Sequence, residues 1–114
     1  MGNPELRILM TTFADEVSAS AVVRQLLEEY LIVCGTLIPG VKSLYRWQEK
    51  IEESCEVVAL LKTDQDAVDQ CMVRLLAFHP YELPEIVQLN PNAVSEHYAD
   101  WLRDALRNPS QHDN

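Results

Sequence analysis

A histidine and a glutamate stand beside two prolines in the run HPYELPEI at residues 79–86. Imidazole and carboxylate groups are both suitable ligands for copper(II) or zinc. Each proline removes a backbone donor and biases the preceding residue away from helical geometry, so His79 should end a helix and Glu85 should begin an extended segment. The sequence therefore predicts a partial metal site at a rigid corner, with His79 and Glu85 as its ligands.

The same two residues also have a purely structural interpretation. The His79 ring can interact with carbonyl groups at the helix end, and Glu85 can hydrogen-bond to neighbouring backbone. Two ligands alone rarely hold a metal against water. A copper or other divalent cation bound here would therefore be held weakly unless a second subunit supplied further ligands.

Strands and helices alternate around this corner. Hydrophobic periodicity predicts one domain, residues 1–114, with an ordered core over about 6–107 and a flexible tail at 108–114. The predicted elements are a strand at 6–13, a helix after Asp15, a strand at 31–47 bent at Pro39-Gly40, its hairpin partner at 51–63, a helix capped by Asp64 or Asp66, a strand at 85–90 and a helix capped by Ser95.

This order predicts an α+β fold, a ferredoxin-like βαββαβ sandwich with an extra C-terminal helix. Right-handed crossovers place the first two helices on one face of the sheet. The long bent hairpin exceeds the other strands in length, and its unpaired edges must be covered or paired. We therefore expect edge pairing between copies of the chain.

Composition excludes several classes of function. The 114 residues include 18 acidic and 9 basic ones, a formal charge of −9, which disfavours nucleic acid and anionic membranes and favours cations. No segment predicts export or membrane insertion, so we expect a cytoplasmic protein. The cysteines at positions 34, 55 and 71 are odd in number and widely spaced, and are expected to be reduced and buried. No local motif signals a nucleophile–base pair or a phosphate loop, so we expect no enzyme.

Several spaced motifs together resemble the CutA family of divalent-cation tolerance proteins, from about residue 8 to 106. The motifs are the proline corner, the Pro39-Gly40 bend, Tyr45-x-Trp47, Lys62-Thr63 and Tyr98-x-x-Trp101. The resemblance implies a homotrimer of ferredoxin-like subunits whose hairpins pair across subunits, and a link to copper and other divalent cations. Tyr45, Trp47 and Trp101 are expected to fill the trimer interface.

The chain departs from the family pattern at three positions. Thr11 stands where some members carry a cysteine proposed as a copper ligand, and Phe78 stands where some place a second histidine. Most of the proposed soft ligands are therefore missing. Glu49 replaces the usual glycine of the hairpin turn, at a cost of roughly 1 kcal/mol if that position is left-handed.

Alternative functions stay open at this point. Cys34 could bind copper(I) as a thiolate, although a cysteine within an apolar strand is more often a core residue. The chain could also be a PII-like trimer that binds a small effector in clefts between subunits, by analogy of fold alone. A third interpretation is a hyperstable scaffold that binds other proteins.

Overall fold

A computed structural model describes residues 4–107, so the tail predicted to be flexible lies outside the described range. Its elements are β1 (Leu6–Phe13), α1 (Glu16–Glu28), β2 (Cys34–Trp47), β3 (Lys50–Asp64), α2 (Val68–Phe78), β4 (Ile86–Leu89) and α3 (Glu96–Ala105). The strands pair antiparallel in the order β2-β3-β1-β4. The predicted ferredoxin-like α+β fold with an additional C-terminal helix is confirmed. Within residues 4–107, no helix combines the length and hydrophobicity needed to cross a membrane.

Helices α1 and α2 cover one face of the sheet, which we call the covered face. Alternate residues of β1 and β3 point toward them, and the side chains of Leu9, Phe13 and Leu61 are fully buried there. Gly35 lies so close to α1 that a Cβ atom on it would sit 2.5 Å from Val23 Cγ1. This face therefore holds a densely packed core.

Ion pairing also connects the two covering helices. Arg74 on α2 donates from Nε and Nη2 to the two carboxylate oxygens of Glu29, at 2.9 and 3.0 Å. These bonds lower the pKa of Glu29 to about 2. The Arg74 guanidinium also lies 4.4 Å from the centre of the Phe78 ring. This bidentate pair joins the C-terminal end of α1 to α2.

The β2-β3 hairpin extends well beyond the rest of the sheet. β2 and β3 contain 14 and 15 residues, whereas β1 contains 8 and pairs only with residues 57–64 of β3. Residues 41–47 and 50–56 therefore form a projecting two-stranded segment, the ribbon. Its presence makes the described chain elongated, 55 × 30 × 23 Å.

Backbone conformation at two points shapes the ribbon. At its base, Pro39 and Gly40 both oppose a single residue of β3, so the predicted bend is a β-bulge, with Gly40 at φ 69°. At its tip, Gln48 and Glu49 have φ of 48° and 66°, as in a type I′ turn. The left-handed backbone suspected at Glu49 is confirmed.

The other side of the sheet, which we call the open face, is apolar but much less covered. Because side chains alternate along a strand, β1 presents Ile8 and Met10 here, next to their register partners on β3 and β4. Ile38, Val87 and Leu89 remain 43%, 40% and 41% exposed. The open face consists of Ile8, Met10, Ile38, Val58, Leu60, Val87 and Leu89.

Two helix starts differ in detail from the sequence prediction. Asp64 Oδ1 accepts from the backbone N–H of Asp66 and of Ala67, so it orders the turn before α2, but the N-cap residue itself is Ala67. Ser95 is the N-cap of α3, yet its side chain makes no capping hydrogen bond. Asp15 caps α1 by accepting from the Ser18 backbone N–H at 2.7 Å.

Candidate functional site

The proline corner, residues 79–85, connects α2 to β4. His79 is the C-cap of α2, and its backbone N–H donates to the Leu75 carbonyl at 2.8 Å. Its backbone is extended, with φ −65° and ψ 131°, as the following Pro80 requires. The predicted helix end is confirmed, and β4 begins at Ile86, directly after Glu85.

Both ring nitrogens of His79 are hydrogen-bonded, and the residue is only 7% exposed. Nδ1 accepts from the backbone N–H of Tyr81 at 3.1 Å. Nε2 lies 2.9 Å from the Thr12 carbonyl oxygen and 3.1 Å from the Thr11 hydroxyl. Since a carbonyl can only accept, Nε2 carries the proton and the ring is neutral. Burial lowers the pKa of His79, which maintains the neutral form.

Aromatic contacts fix the same ring. Phe13 stacks on His79 with ring centres 4.4 Å apart and planes 9° apart, and Tyr81 packs against it at 5.0 Å. The imidazole is thus oriented by hydrogen bonds and by stacking. It holds the end of β1 against the start of the proline corner.

The residues of the predicted metal site do not share one environment. Glu85 is exposed, whereas His79 is buried and could ligate a metal only by giving up one of its hydrogen bonds. Thr11 is fully buried beside the His79 ring, and Phe78 contacts Arg74 instead. Among residues 4–107, no three His, Cys, Asp or Glu side chains are grouped to hold a metal ion. The metal role of His79 and Glu85 stays a prediction.

A cleft of about 950 Å³ lies between the ribbon and the proline corner. Its walls combine aromatic rings with carboxylates, and Thr12 at the end of β1 contributes as well. The ribbon supplies Tyr45, Trp47, Glu52 and Glu56, and the corner supplies Tyr81, Glu82, Leu83 and Glu85. This volume is in the range of small-molecule pockets.

One hydrogen bond joins the two walls of the cleft. The Tyr81 hydroxyl donates to Glu56 Oε2 at 2.9 Å. Burial, together with the Glu56 carboxylate, raises the pKa of Tyr81 to about 12, so the phenol stays protonated as a donor. On the ribbon, the Tyr45 and Ser54 hydroxyls are also within hydrogen-bond distance, 3.0 Å. These hydrogen bonds hold the Tyr81 and Tyr45 side chains in the walls of the cleft. The carboxylates of Glu52, Glu82 and Glu85 remain exposed to solvent.

Sequence reasoning missed Glu52, Glu56 and Glu82 as members of this site. Glu82 lies within the HPYELPEI run, so the sequence already placed it close to His79 and Glu85. Glu56 is 25 residues from Tyr81 in sequence, and only the hairpin register brings the two together.

The predicted interface residues lie in two places. Tyr45 and Trp47 line the cleft and are 44% and 50% exposed. Trp101 lies on α3, 48% exposed, with its ring centre 5.5 Å from that of Tyr98. Large exposed aromatic rings are suited to an interface. Their role in a trimer stays a prediction.

The cysteines agree only partly with expectation. All three are free, but only Cys71 is buried, and burial raises its pKa to about 12. The prediction that Cys55 is buried is wrong: Cys55 is exposed because it lies on the ribbon, beyond the helices. Cys34 is half-buried rather than in the core, and its Sγ lies 3.7 Å from Lys62 Nζ.

Comparison with known proteins connects this fold to cation tolerance. The family model for the CutA1 divalent ion tolerance protein matches residues 7–105. A divalent-cation tolerance protein CutA of Pyrococcus horikoshii is 42% identical over 95 residues, 83% of this chain and 92% of the relative. The one from Thermus thermophilus is 39% identical over 97 residues, 85% of this chain and 93% of the relative.

Solved structures agree with this match. CutA from Synechococcus elongatus superposes with a TM-score of 0.88 at 36% identity, covering 94% of this chain and 95% of its own. The divalent ion tolerance protein CutA1 from Ehrlichia chaffeensis gives 0.87 at 27% identity, covering 93% and 99%. Similarity in sequence and in structure therefore extends over nearly all of the described residues.

Proposed function

The chain belongs to the CutA family of divalent-cation tolerance proteins, and from this membership we propose that it binds or senses divalent cations weakly as a homotrimer. The names of its relatives describe tolerance and no reaction, so we propose no catalytic step. A cytoplasmic location is part of the proposal, since free thiols persist in a reducing compartment.

The carboxylate-lined cleft is the observation that carries the cation role. Four glutamates, Glu52, Glu56, Glu82 and Glu85, line it together with a single lysine, Lys42. Lys42 is itself 3.7 Å from Glu53 outside this set. Divalent cations prefer such oxygen ligands and can keep part of their water shell. Binding of copper(II), zinc or another divalent cation is therefore expected to be weak in one chain, and a tight site would need ligands from a neighbouring subunit.

His79 supports this site indirectly under the proposal. Its bonds to the Thr12 carbonyl and the Tyr81 backbone tie the proline corner to β1. Glu82 and Glu85 on the same corner can then face the ribbon across the cleft. We therefore assign His79 a positioning role and give the direct cation contacts to the carboxylates.

The open face supports self-association. This apolar surface would leave Ile38, Val87 and Leu89 facing water in an isolated chain, and burying apolar area stabilises association. The number of copies, three, comes from the family resemblance. An effector-binding role remains a second candidate because the cleft has the size of a ligand pocket. We favour it over the protein-binding scaffold for that reason.

A metal titration tests the cation role. Wild-type protein without a tag is titrated with copper(II) and with zinc in the presence of a competing chelator, beside Glu85→Gln. We expect saturable binding that weakens in Glu85→Gln and is unchanged in Glu28→Gln, an exposed position on α1 with the same change of charge. The absence of saturable binding, or equal effects of both variants, would contradict the proposal. His79→Ala is a poor test because it also leaves buried backbone groups unpaired.

A further inference from the structure

We propose that the cleft between the ribbon and the proline corner is a binding site for an extended organic polycation such as an aliphatic polyamine. This inference goes beyond the metal role and does not depend on it. It rests on the charge, the aromatic walls and the spacing of the groups in the cleft.

Charge selects a cation over an anion. Glu52, Glu56, Glu82 and Glu85 line the cleft, and Lys42, the one basic residue of its lining, has its ammonium group 3.7 Å from Glu53 outside the cleft. The phosphates of a nucleotide would be repelled by this surface, since like charges brought together cost free energy. A nucleotide is therefore disfavoured as a ligand, while a ligand with several ammonium groups is attracted.

The aromatic walls distinguish an organic cation from a bare metal ion. Tyr45, Trp47 and Tyr81 line the same cavity as the carboxylates. Faces of tyrosine and tryptophan attract alkylammonium groups, and they also pack against the methylene segments between those groups. A hydrated metal ion gains little from such walls.

The spacing of the carboxylates points to an extended molecule. Among the described residues, no three acidic, His or Cys side chains converge on one point. The carboxylates are instead distributed along both walls of a cavity of about 950 Å³. Several ammonium groups joined by flexible methylene chains can each reach a different carboxylate, which a single ion cannot do.

Thr12 provides a polar contact at the inner end of the cleft. It lines the cavity and is only 7% exposed. Its register partner on β3 is Val58, and Glu56 lies two residues before Val58. Side chains two residues apart on a strand face the same side, so Thr12 and Glu56 share one side of the sheet. The Thr12 carbonyl accepts from His79, but no group within residues 4–107 hydrogen-bonds to the Thr12 hydroxyl. An ammonium group seated in the cleft would donate to it.

Calorimetric titration with spermidine tests the site. Metal-free full-length protein at physiological ionic strength is expected to bind one spermidine per chain. The double variant Glu82→Gln/Glu85→Gln should bind at least about tenfold more weakly, because two charge-assisted contacts are lost. Glu28→Gln/Glu96→Gln makes the same change of charge at exposed helix positions and should leave the affinity unchanged.

Fluorescence provides a second readout at the site itself. The chain has two tryptophans, and Trp101→Phe leaves only Trp47 in the cleft. Spermidine should change the Trp47 emission with the same affinity that calorimetry gives, whereas fully acetylated spermidine, which carries no ammonium group, should not. The proposal is overturned by absence of saturable binding, by equal weakening in both double variants, or by acetylated spermidine reproducing the signal. Because no transition metal is present, failure here leaves the metal proposal standing.

Discussion

The two faces of the central sheet differ in how far one chain completes them. On the covered face, Leu9, Phe13 and Leu61 are entirely shielded by α1 and α2. On the open face, Val87 and Leu89 of the same sheet remain about two-fifths exposed. The covered face forms a core that is fully buried within one chain, whereas the open face and the ribbon present surface that another molecule can cover.

Polar groups show the same contrast. The buried ring of His79 has hydrogen bonds at both nitrogens and is held neutral. The carboxylates of Glu82 and Glu85 on the same corner are exposed beside the cleft. The proline corner therefore has a buried, hydrogen-bonded histidine on its inner side and exposed carboxylates on its outer side, an arrangement suited to ligand binding.

Truncating a core side chain should have the largest effect. Leu61→Ala removes a fully buried side chain and should lower the free energy of unfolding by about 3 kcal/mol. Val17→Ala, at a position 82% exposed on α1, should change it by less than about 0.5 kcal/mol. Urea denaturation at one protein concentration measures both. Similar losses in the two variants would mean that the covered face is not the core.

The two described glycines of the hairpin test different requirements. Gly35→Ala introduces a Cβ against Val23 and should cost about 2 kcal/mol, because the core cannot absorb it. Gly40→Ala meets no atom within 4 Å but adopts φ 69°, and should cost about 1 kcal/mol. Urea denaturation should rank the losses in this order. The reverse order would show that the contact between α1 and β2 is looser than described.

The pH dependence of stability should report on His79. Since its pKa is lowered from 6.5 in the folded protein, the unfolded chain binds the proton more readily, and stability should decrease as pH falls below 6.5. The Glu29–Arg74 pair acts at lower pH, because its contribution is lost only as pH falls from 4.5 toward about 2. Urea midpoints above and below pH 6.5 measure the first effect.

Variants separate the His79 contribution from other groups. His79→Gln should be less stable than the wild type, and its stability should no longer show the decrease that the wild type shows as pH falls below 6.5. His97→Gln, at an exposed position on α3, should retain it. If His79→Gln keeps the wild-type dependence, the buried imidazole is not its source.

The smallest effect is expected at the ribbon tip. Glu49 has φ 66°, so Glu49→Gly should raise the free energy of unfolding by up to about 1 kcal/mol by removing strain. Glu53→Gly, within β3, should lower it by a similar amount because glycine weakens a strand interior. Thermal denaturation of the pair checks both signs. A destabilising Glu49→Gly would contradict the turn geometry.

The sequence predicted the order of elements and several local features. Proline and glycine chemistry located the bulge at Pro39-Gly40 and the end of α2 at His79, because each depends on a few adjacent residues. The family resemblance pointed to the strained turn at Glu49. The nearly unbroken apolar run from Leu6 to Met10 also predicted a central strand, and β1 is an interior strand of the sheet.

Features that depend on distant residues were not predictable in the same way. Cys55 is exposed because the ribbon projects past α1 and α2, a placement that follows from the length and register of the hairpin. The cleft requires both the hairpin register and the path of the proline corner, which together bring Glu56 to Tyr81. Motif reading identified His79 from its residue type, whereas its burial and its hydrogen bonds to β1 emerge only from the fold.

The mass of the protein in solution tests most directly whether the open face is completed by further copies of the chain. Light scattering should give three times the 13.0 kDa chain mass for the wild type. Val87→Lys, which places a charge on the open face, should give smaller species that keep their secondary structure. A wild-type mass of one chain, or a trimer indifferent to Val87→Lys, would contradict the account.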